Sequence, residues 1–266
     1  MDYRECSLEE AQLRMLEMLC EIDRICKKYD IKYWLDAGTL LGAIRHKGFI
    51  PWDDDIDIGM IREDYRKFKS VVKGELDQNY FCQSPLTDSY SEAPWIKIRD
   101  NNSRIGEEKR EKGHSGLFID ILPYDDYNDY NNAKKKPIYN IINLKWKSEL
   151  PYKKGIKNIP RNISLFSLKL IYKILPYKMF IKKTFYMADK AKNMNSEYID
   201  YGIEGPWNMR LRKSDVFPLK STEFAGYKFM IPNKHENVLR CLYGEWNVLP
   251  PKEKRIPTHS EKIYIR

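Results

Sequence analysis

The stretch Pro51-Trp52-Asp53-Asp54-Asp55-Ile56-Asp57-Ile58-Gly59-Met60 decides how this chain is read. Ile56 and Ile58 alternate with acids, which is the period-two pattern of a strand. Residues two apart on a strand share a face, so Asp55 and Asp57 project together to one side. Two carboxylates held that close raise each other's pKa unless a cation sits between them. A hard divalent ion with oxygen ligands, Mg²⁺ or Mn²⁺, is the natural counter-charge. An acidic turn leading into an edge strand is the plainer alternative, and the residues upstream weigh against it.

Upstream runs Tyr33-Trp34-Leu35-Asp36-Ala37-Gly38-Thr39-Leu40-Leu41-Gly42-Ala43-Ile44-Arg45-His46-Lys47-Gly48. The pattern predicts a buried strand over 32–37, a Gly-Thr turn, and a short helix closed by Gly48. Such a turn presents free backbone N–H groups and the positive end of the helix dipole to an anion. Gly38 allows close backbone approach, and the Thr39 hydroxyl is placed to cap the helix and touch a phosphate. An anion cradle just ahead of a metal pair describes a site for a metal-bound phosphate ester.

Farther along, strands are expected over 80–84 and 95–99, with Lys97 and Arg99 on the face opposite Ile96 and Ile98. Residues 117–122 read as a buried strand that carries one acid, Asp120, among Phe118, Ile119, Ile121 and Leu122. A lone carboxylate there is costly to bury without a partner. Beside a metal pair it would ligate the ion or accept the proton of an attacking hydroxyl. Pro123 is expected to end this strand, and Asp125-Asp126-Tyr127-Asn128-Asp129-Tyr130-Asn131-Asn132 to form a polar boundary loop.

The run from Trp34 to Gly59 resembles the LicD family, in its Leu35-Asp36-Ala37-Gly38-Thr39-Leu40-Leu41-Gly42-Ala43-Ile44-Arg45-His46 and its Pro51-to-Ile58 segment. These are phosphocholine transferases related to fukutin and fukutin-related protein, within the nucleotidyltransferase superfamily. The likeness continues through Gly116-Leu117-Phe118-Ile119-Asp120-Ile121-Leu122-Pro123 and into Leu242-Tyr243-Gly244-Glu245-Trp246, Pro250-Pro251 and His259.

The resemblance implies an α/β fold: a nucleotidyltransferase-like core with a small mixed sheet over 1–132, a basic helical insertion over 133–195, and a C-terminal extension over 196–266 packed on the core. It implies transfer of a phospho-alcohol, phosphocholine first, from a CDP-activated donor such as CDP-choline. The acceptor would be a hydroxyl of a glycan, teichoic acid or lipopolysaccharide precursor, and CMP would be released. Asp55 and Asp57 would hold Mg²⁺ or Mn²⁺, with Asp120 as the third acid. Gly38, Thr39 and Arg45 would hold phosphate oxygens, with Lys97 and Arg99 behind them in rank. Asp53 would stand behind the ligands if the strand begins early enough. If the donor carries choline, Trp52 is the first choice to stack on its ammonium, ahead of Trp95, Tyr124 and Trp207, while Trp34 adjoins an apolar run and reads as structural. Two other functions remain open: a nucleotidyltransferase that releases pyrophosphate, and a non-catalytic binder of membranes or nucleic acid. The clustered acids argue against binding a polyanion, so nucleic acid is not an expected partner.

Composition adds a second theme. The segment 134–192 holds sixteen Lys/Arg against two acids, a local +14 in a chain whose net charge is +9. It interleaves Trp146, Phe166, Tyr172, Tyr177, Phe180 and Phe185, a composition suited to an anionic surface, membrane headgroups or nucleic acid, with a solvated basic helix face as the plainer alternative. No apolar run approaches the ~18 residues of a spanning helix, and no signal-peptide layout opens the chain. The five cysteines form no Cys-x-x-Cys pair, so a cytoplasmic protein, at most peripheral to the membrane, is expected. Ser7-Leu8-Glu9-Glu10 is a capping box opening an amphipathic helix, and further helices are expected over 62–76, 139–146, 165–194 and 233–243. A hairpin is expected about Gly226.

Overall fold

The computed structural model of the protein describes residues 3–88, 90–91, 93–106, 113–127, 129, 133, 139–140, 152–174, 179, 183, 186, 196–257 and 262–266. A short strand β1 (Arg4–Glu5) leads into α1 (Leu8–Lys28), where the expected capping box forms. The Ser7 hydroxyl accepts the Glu10 N–H at 3.2 Å, and the Glu10 carboxylate accepts the Ser7 N–H at 2.9 Å. Ala11, Met15, Leu19, Ile22 and Cys26, three or four residues apart, form the buried face of this helix.

The chain then builds its main sheet. In order come β2 (Trp34–Leu35), α2 (Ala37–Arg45), β3 (Ile56–Ile61), α3 (Arg62–Glu75), β4 (Tyr80–Gln83), β5 (Ile96–Asp100), β6 (Ser103–Ile105) and β7 (Phe118–Asp126). The order across the sheet is β2-β3-β7-β5-β4, with β3 and β7 parallel and the other pairs antiparallel. The fold is therefore mixed α/β. Ile58, Ile121 and Ile96 form one transverse row of the sheet, each 0–1% exposed. Fully burying one such side chain stabilises the fold by about 1.5–3 kcal/mol.

A 3₁₀ turn (Ile156–Asn158) precedes α4 (Ile159–Ile174). After it come β8 (Tyr198–Tyr201), β9 (Leu211–Arg212), α5 (Lys213–Val216), the hairpin β10 (Lys220–Phe224) and β11 (Tyr227–Ile231), α6 (His235–Tyr243) and β12 (Ile263–Ile265). β8 joins the main sheet on β7 and carries β9 at its edge, so the C-terminal third supplies strands to the core sheet. β12 lies between β1 and β6, which ties the end of the chain to its beginning. The hairpin turn is Ala225-Gly226, both in the left-handed region at φ 50° and 84°.

Several expectations change. The strand over 32–37 shrinks to Trp34–Leu35. The following helix ends at Arg45, and Lys47, at φ 60°, turns the chain before Gly48. Pro123 does not end β7. β5 pairs with β7 only as far as Ile121, and β8 takes over that side from Tyr124, so Pro123 sits in the gap where no ladder N–H is needed. Asp125 and Asp126 consequently belong to the strand rather than to a loop. The helix expected over 165–194 begins at Ile159, and its continuation beyond Ile174 lies largely outside the described residues. Of the helix expected over 139–146, Tyr139 and Asn140 are helical and the rest lies outside them.

Candidate active site

Strand register brings the acids together. The parallel pairing sets Asp57 of β3 opposite Asp120 of β7, and the antiparallel pairing sets Asp120 opposite Lys97 of β5. Asp57, Asp120 and Lys97 therefore stand in one row across the sheet, on one face. Asp55 arrives from the loop that enters β3. Carboxylate oxygens of Asp55, Asp57 and Asp120 all lie within 4.8 Å of one another.

The partner that buried Asp120 requires is double. Trp95 Nε1 donates to its Oδ1 at 2.7 Å, and Lys97 Nζ donates to its Oδ2 at 2.8 Å. Burial, and then the charges of Asp55 and Asp120, push the Asp57 carboxyl well above the usual carboxylate range. Lys97 offsets one of the three negative charges. A set of three hard oxygen donors with excess negative charge fits a divalent ion such as Mg²⁺ or Mn²⁺.

The elbow between β2 and α2 differs from the free anion cradle expected there. The left-handed residue is Ala37, at φ 43°, and not Gly38. A non-glycine residue in that region carries backbone strain, of a kind that concentrates at functional sites. Gly38 matters for room instead: a β-carbon there would lie 2.9 Å from Asp53 Oδ2. The chain's own Asp53 carboxylate thus lies against the helix entrance. The Thr39 hydroxyl does not cap the helix; it accepts the Asp57 N–H at 2.8 Å and fastens α2 to the acid-bearing strand. Gln12 of α1 donates to the Asp53 carbonyl at 2.8 Å, which holds the acidic loop from the other side.

A cavity of about 480 Å³ opens beside the acids. Ala37, Asp55, Asp57, Lys97 and Asp120 line one part of it, and Trp95, Tyr201, Trp207 and Tyr243 supply aromatic walls. The Trp207 ring centroid lies 5.3 Å from that of Trp95 and 5.4 Å from that of Tyr201. Burial, and then the charges of Asp57 and Asp36, push the Tyr243 phenol up. Asp36 is fully buried behind the site, where Tyr124 donates to Oδ2 at 2.7 Å and burial pushes the carboxyl up to about 6. A larger cavity of about 860 Å³ lies at the C-terminal ends of β3 and β7. Its Asp125 and Asp126 are already paired, with Arg62 and Lys213, so the smaller cavity is the one equipped for chemistry.

Not every residue singled out from sequence reaches this cavity. Arg99 is buried and donates to Gln83 Oε1 at 2.6 Å and to the Gly116 carbonyl at 2.8 Å, a structural role. Arg45 donates to His46 Nε2 and to the Trp246 carbonyl, both at 3.0 Å, beyond the cavity lining. Trp52 packs edge-on to His46 and under Arg255, so it is not among the aromatic walls. Trp34 is wholly buried, as expected of a structural ring. Asp53 lies ahead of β3, on the loop, and His259 lies outside the described residues. Tyr201, on a strand 81 residues after Asp120, had no local signal, whereas Tyr243, at the end of α6, stands in the Leu242-to-Trp246 motif of the family likeness but was not singled out from it.

The comparison with known proteins sharpens this picture. A family model described as "LicD/FKTN/FKRP, nucleotidyltransferase domain" matches residues 30–152. The lipopolysaccharide cholinephosphotransferase LicD of Haemophilus influenzae is 31% identical over 270 residues, covering 98% of this chain and 99% of that protein. The chain belongs to the LicD family of phosphotransferases. Shorter LicD-family likenesses extend to human ribitol 5-phosphate transferase FKRP, 56% identical over 34 residues, or 13% of this chain and 7% of that one. Mouse ribitol-5-phosphate transferase FKTN is 36% identical over 53 residues, 20% of this chain and 12% of the relative.

Proposed function

We propose that this LicD-family protein, through a nucleotidyltransferase-like core, transfers phosphocholine from CDP-choline to a hydroxyl of a cell-surface glycan or glycolipid precursor. The observation that carries the reading is the meeting of Asp55, Asp57 and Asp120 beside a cavity walled by Trp95, Tyr201, Trp207 and Tyr243. Near full-length likeness to a cholinephosphotransferase supports choline as the alcohol.

In this reaction the acceptor oxygen attacks the phosphorus that bears choline. A new P–O bond forms, the P–O bond to CMP breaks, CMP leaves with that electron pair, and the proton of the acceptor hydroxyl passes to Asp120 or to water. Phosphoryl transfer of this kind needs charge neutralisation and in-line placement more than a nucleophilic side chain. Asp55, Asp57 and Asp120 would hold Mg²⁺ or Mn²⁺, which would supply positive charge to the diphosphate. Lys97 adds a positive charge at the same row of the sheet, and Asp120 is held in direction by Trp95 and Lys97. So fixed, Asp120 would ligate the ion or take the hydrogen bond of the acceptor hydroxyl. The aromatic walls would exclude water and face the quaternary ammonium, a contact worth up to about 2 kcal/mol when desolvated.

The test offers CDP-choline, CDP-ethanolamine, CDP-glycerol and CDP-ribitol with Mg²⁺ and scores CMP release. CMP release that is fastest with CDP-choline is expected. Release of pyrophosphate from a nucleoside triphosphate, with no CMP from any CDP-alcohol, would replace this reading with nucleotidyl transfer.

A further inference from the structure

Helix α4 presents an apolar stripe in an unusual direction. Ile156, Ile159, Ile163, Phe166, Leu170 and Ile174 recur every three or four residues, so they fall on one side of the helix and of the turn that leads into it. All six are exposed, from 49% at Ile159 and Leu170 to 85% at Ile156. The buried residue of the helix, Leu165, lies about half a turn away, between Ile163 and Phe166 in sequence and opposite to them in direction. An ordinary surface helix buries its stripe and exposes the rest. This one is inverted.

Charge says what the stripe faces. Residues 152–174 contain Lys153, Lys154, Lys157, Arg161, Lys169 and Lys173 and no acid at all. A second copy of the chain would bring the same positive charge to the same face, which disfavours self-association through it. The sixteen described residues of the helix span about 24 Å, short of the ~30 Å hydrocarbon core. Among the described residues no helix is long and apolar enough to cross a membrane. An apolar stripe accompanied by the exposed Lys153, Lys154, Lys157 and Lys173 fits the interface plane of an anionic bilayer, with the apolar side chains among the acyl chains and these cations at the headgroups.

We infer that α4 is an in-plane membrane anchor, seated on anionic lipid through Ile159, Ile163, Phe166 and Leu170. The consequence goes beyond the transfer reaction. Tyr139, from the same insertion, lines the catalytic cavity, so a docked insertion would bring that cavity to acceptors carried on lipid.

The experiment is co-sedimentation of the full chain with vesicles of phosphatidylcholine alone or with about a third phosphatidylglycerol, across a salt series. Binding to the anionic vesicles, weakening as salt rises, is expected. Phe166→Ser and Ile163→Ser should each lower the partition coefficient on the order of tenfold. Because both side chains point outward, thermal unfolding should not change. A Phe166→Trp variant should show blue-shifted emission on binding, quenched by brominated acyl chains. Equal binding to neutral vesicles, no binding to anionic ones, or wild-type partition by both serine variants would overturn the inference. So would a dimer, seen by sedimentation equilibrium, that Phe166→Ser dissociates. CMP release with a soluble acceptor should be the same in the serine variants as in wild type. A failure of the transfer reading would therefore leave the vesicle result standing, and the reverse holds too.

Discussion

Replacing Arg62 with Met should unlock one wall of the candidate active-site cavity, and the pH dependence of the damage should reveal why. Arg62 opens α3 with its guanidinium between two carboxylates, Nε and Nη2 donating to Asp125 at 2.7 and 2.8 Å and Nη1 and Nη2 to Glu204 at 2.7 and 2.6 Å. These side chains are 5–7% exposed. Asp125 sits on β7 and Glu204 in the segment after β8, so this one cation ties the stretch bearing Tyr201 and Trp207 to the core. Methionine keeps most of the volume but leaves two buried carboxylates facing each other without a cation. Removing one partner from a buried ion cluster costs about 3–5 kcal/mol. For a chain of this size that corresponds to a fall in melting temperature of roughly 6–20 °C at pH 7.

The sign with pH follows from linkage. In the variant the cheapest substitute for the lost cation is a proton, so the folded chain holds protons that the unfolded chain has already released. Stability is then lost as pH rises above the ordinary carboxylate range and recovered as pH falls toward about 5. Scanning calorimetry of both proteins at pH 5, 7 and 8.5 measures this. The KM for CDP-choline should rise as Trp207 and Tyr201 loosen. A melting temperature within about 2 °C of wild type at pH 7, or a deficit that is the same at every pH, would refute the reasoning.

Asp57→Asn should cut CMP release by at least about a hundredfold, because the amide keeps the shape and loses the charge. The same change relieves burial and like-charge repulsion at Asp57, so the metal-free variant should melt no lower than wild type. Trp207→Leu should shrink the preference for CDP-choline over CDP-ethanolamine by roughly 1–2 kcal/mol in kcat/KM, while Trp52→Leu should leave it unchanged. Gly59→Ala should destabilise the fold by about 1–3 kcal/mol, read from denaturant unfolding, because its β-carbon would overlap the buried Trp34 indole on the neighbouring strand.

Local pattern carried much of this protein. The capping box at Ser7 and Glu10, the alternation around Asp55 and Asp57, the apolar strand interrupted by Asp120 and the hairpin at Gly226 are each fixed by neighbours within a few residues, and each is legible in the sequence. The family likeness is legible for the same reason, since its motifs are contiguous. Tertiary structure decided which way the side chains between those motifs point. Lys97 and Arg99 read as equals on one strand face; register places Lys97 opposite Asp120, while Arg99 is drawn to Gln83 and Gly116. Thr39 read as a phosphate contact and holds the Asp57 backbone instead. Trp52 read as the ring nearest the metal strand, yet Trp95, Tyr201, Trp207 and Tyr243 form the walls, three of them from elements more than 70 residues beyond the acids. Pro123 read as a strand end because no local rule foresees one neighbouring strand leaving just where another arrives. The amphipathic period of α4 is written in its residues, but periodicity cannot say which face meets the protein. Only the packed chain shows Leu165 inward and the isoleucine stripe outward.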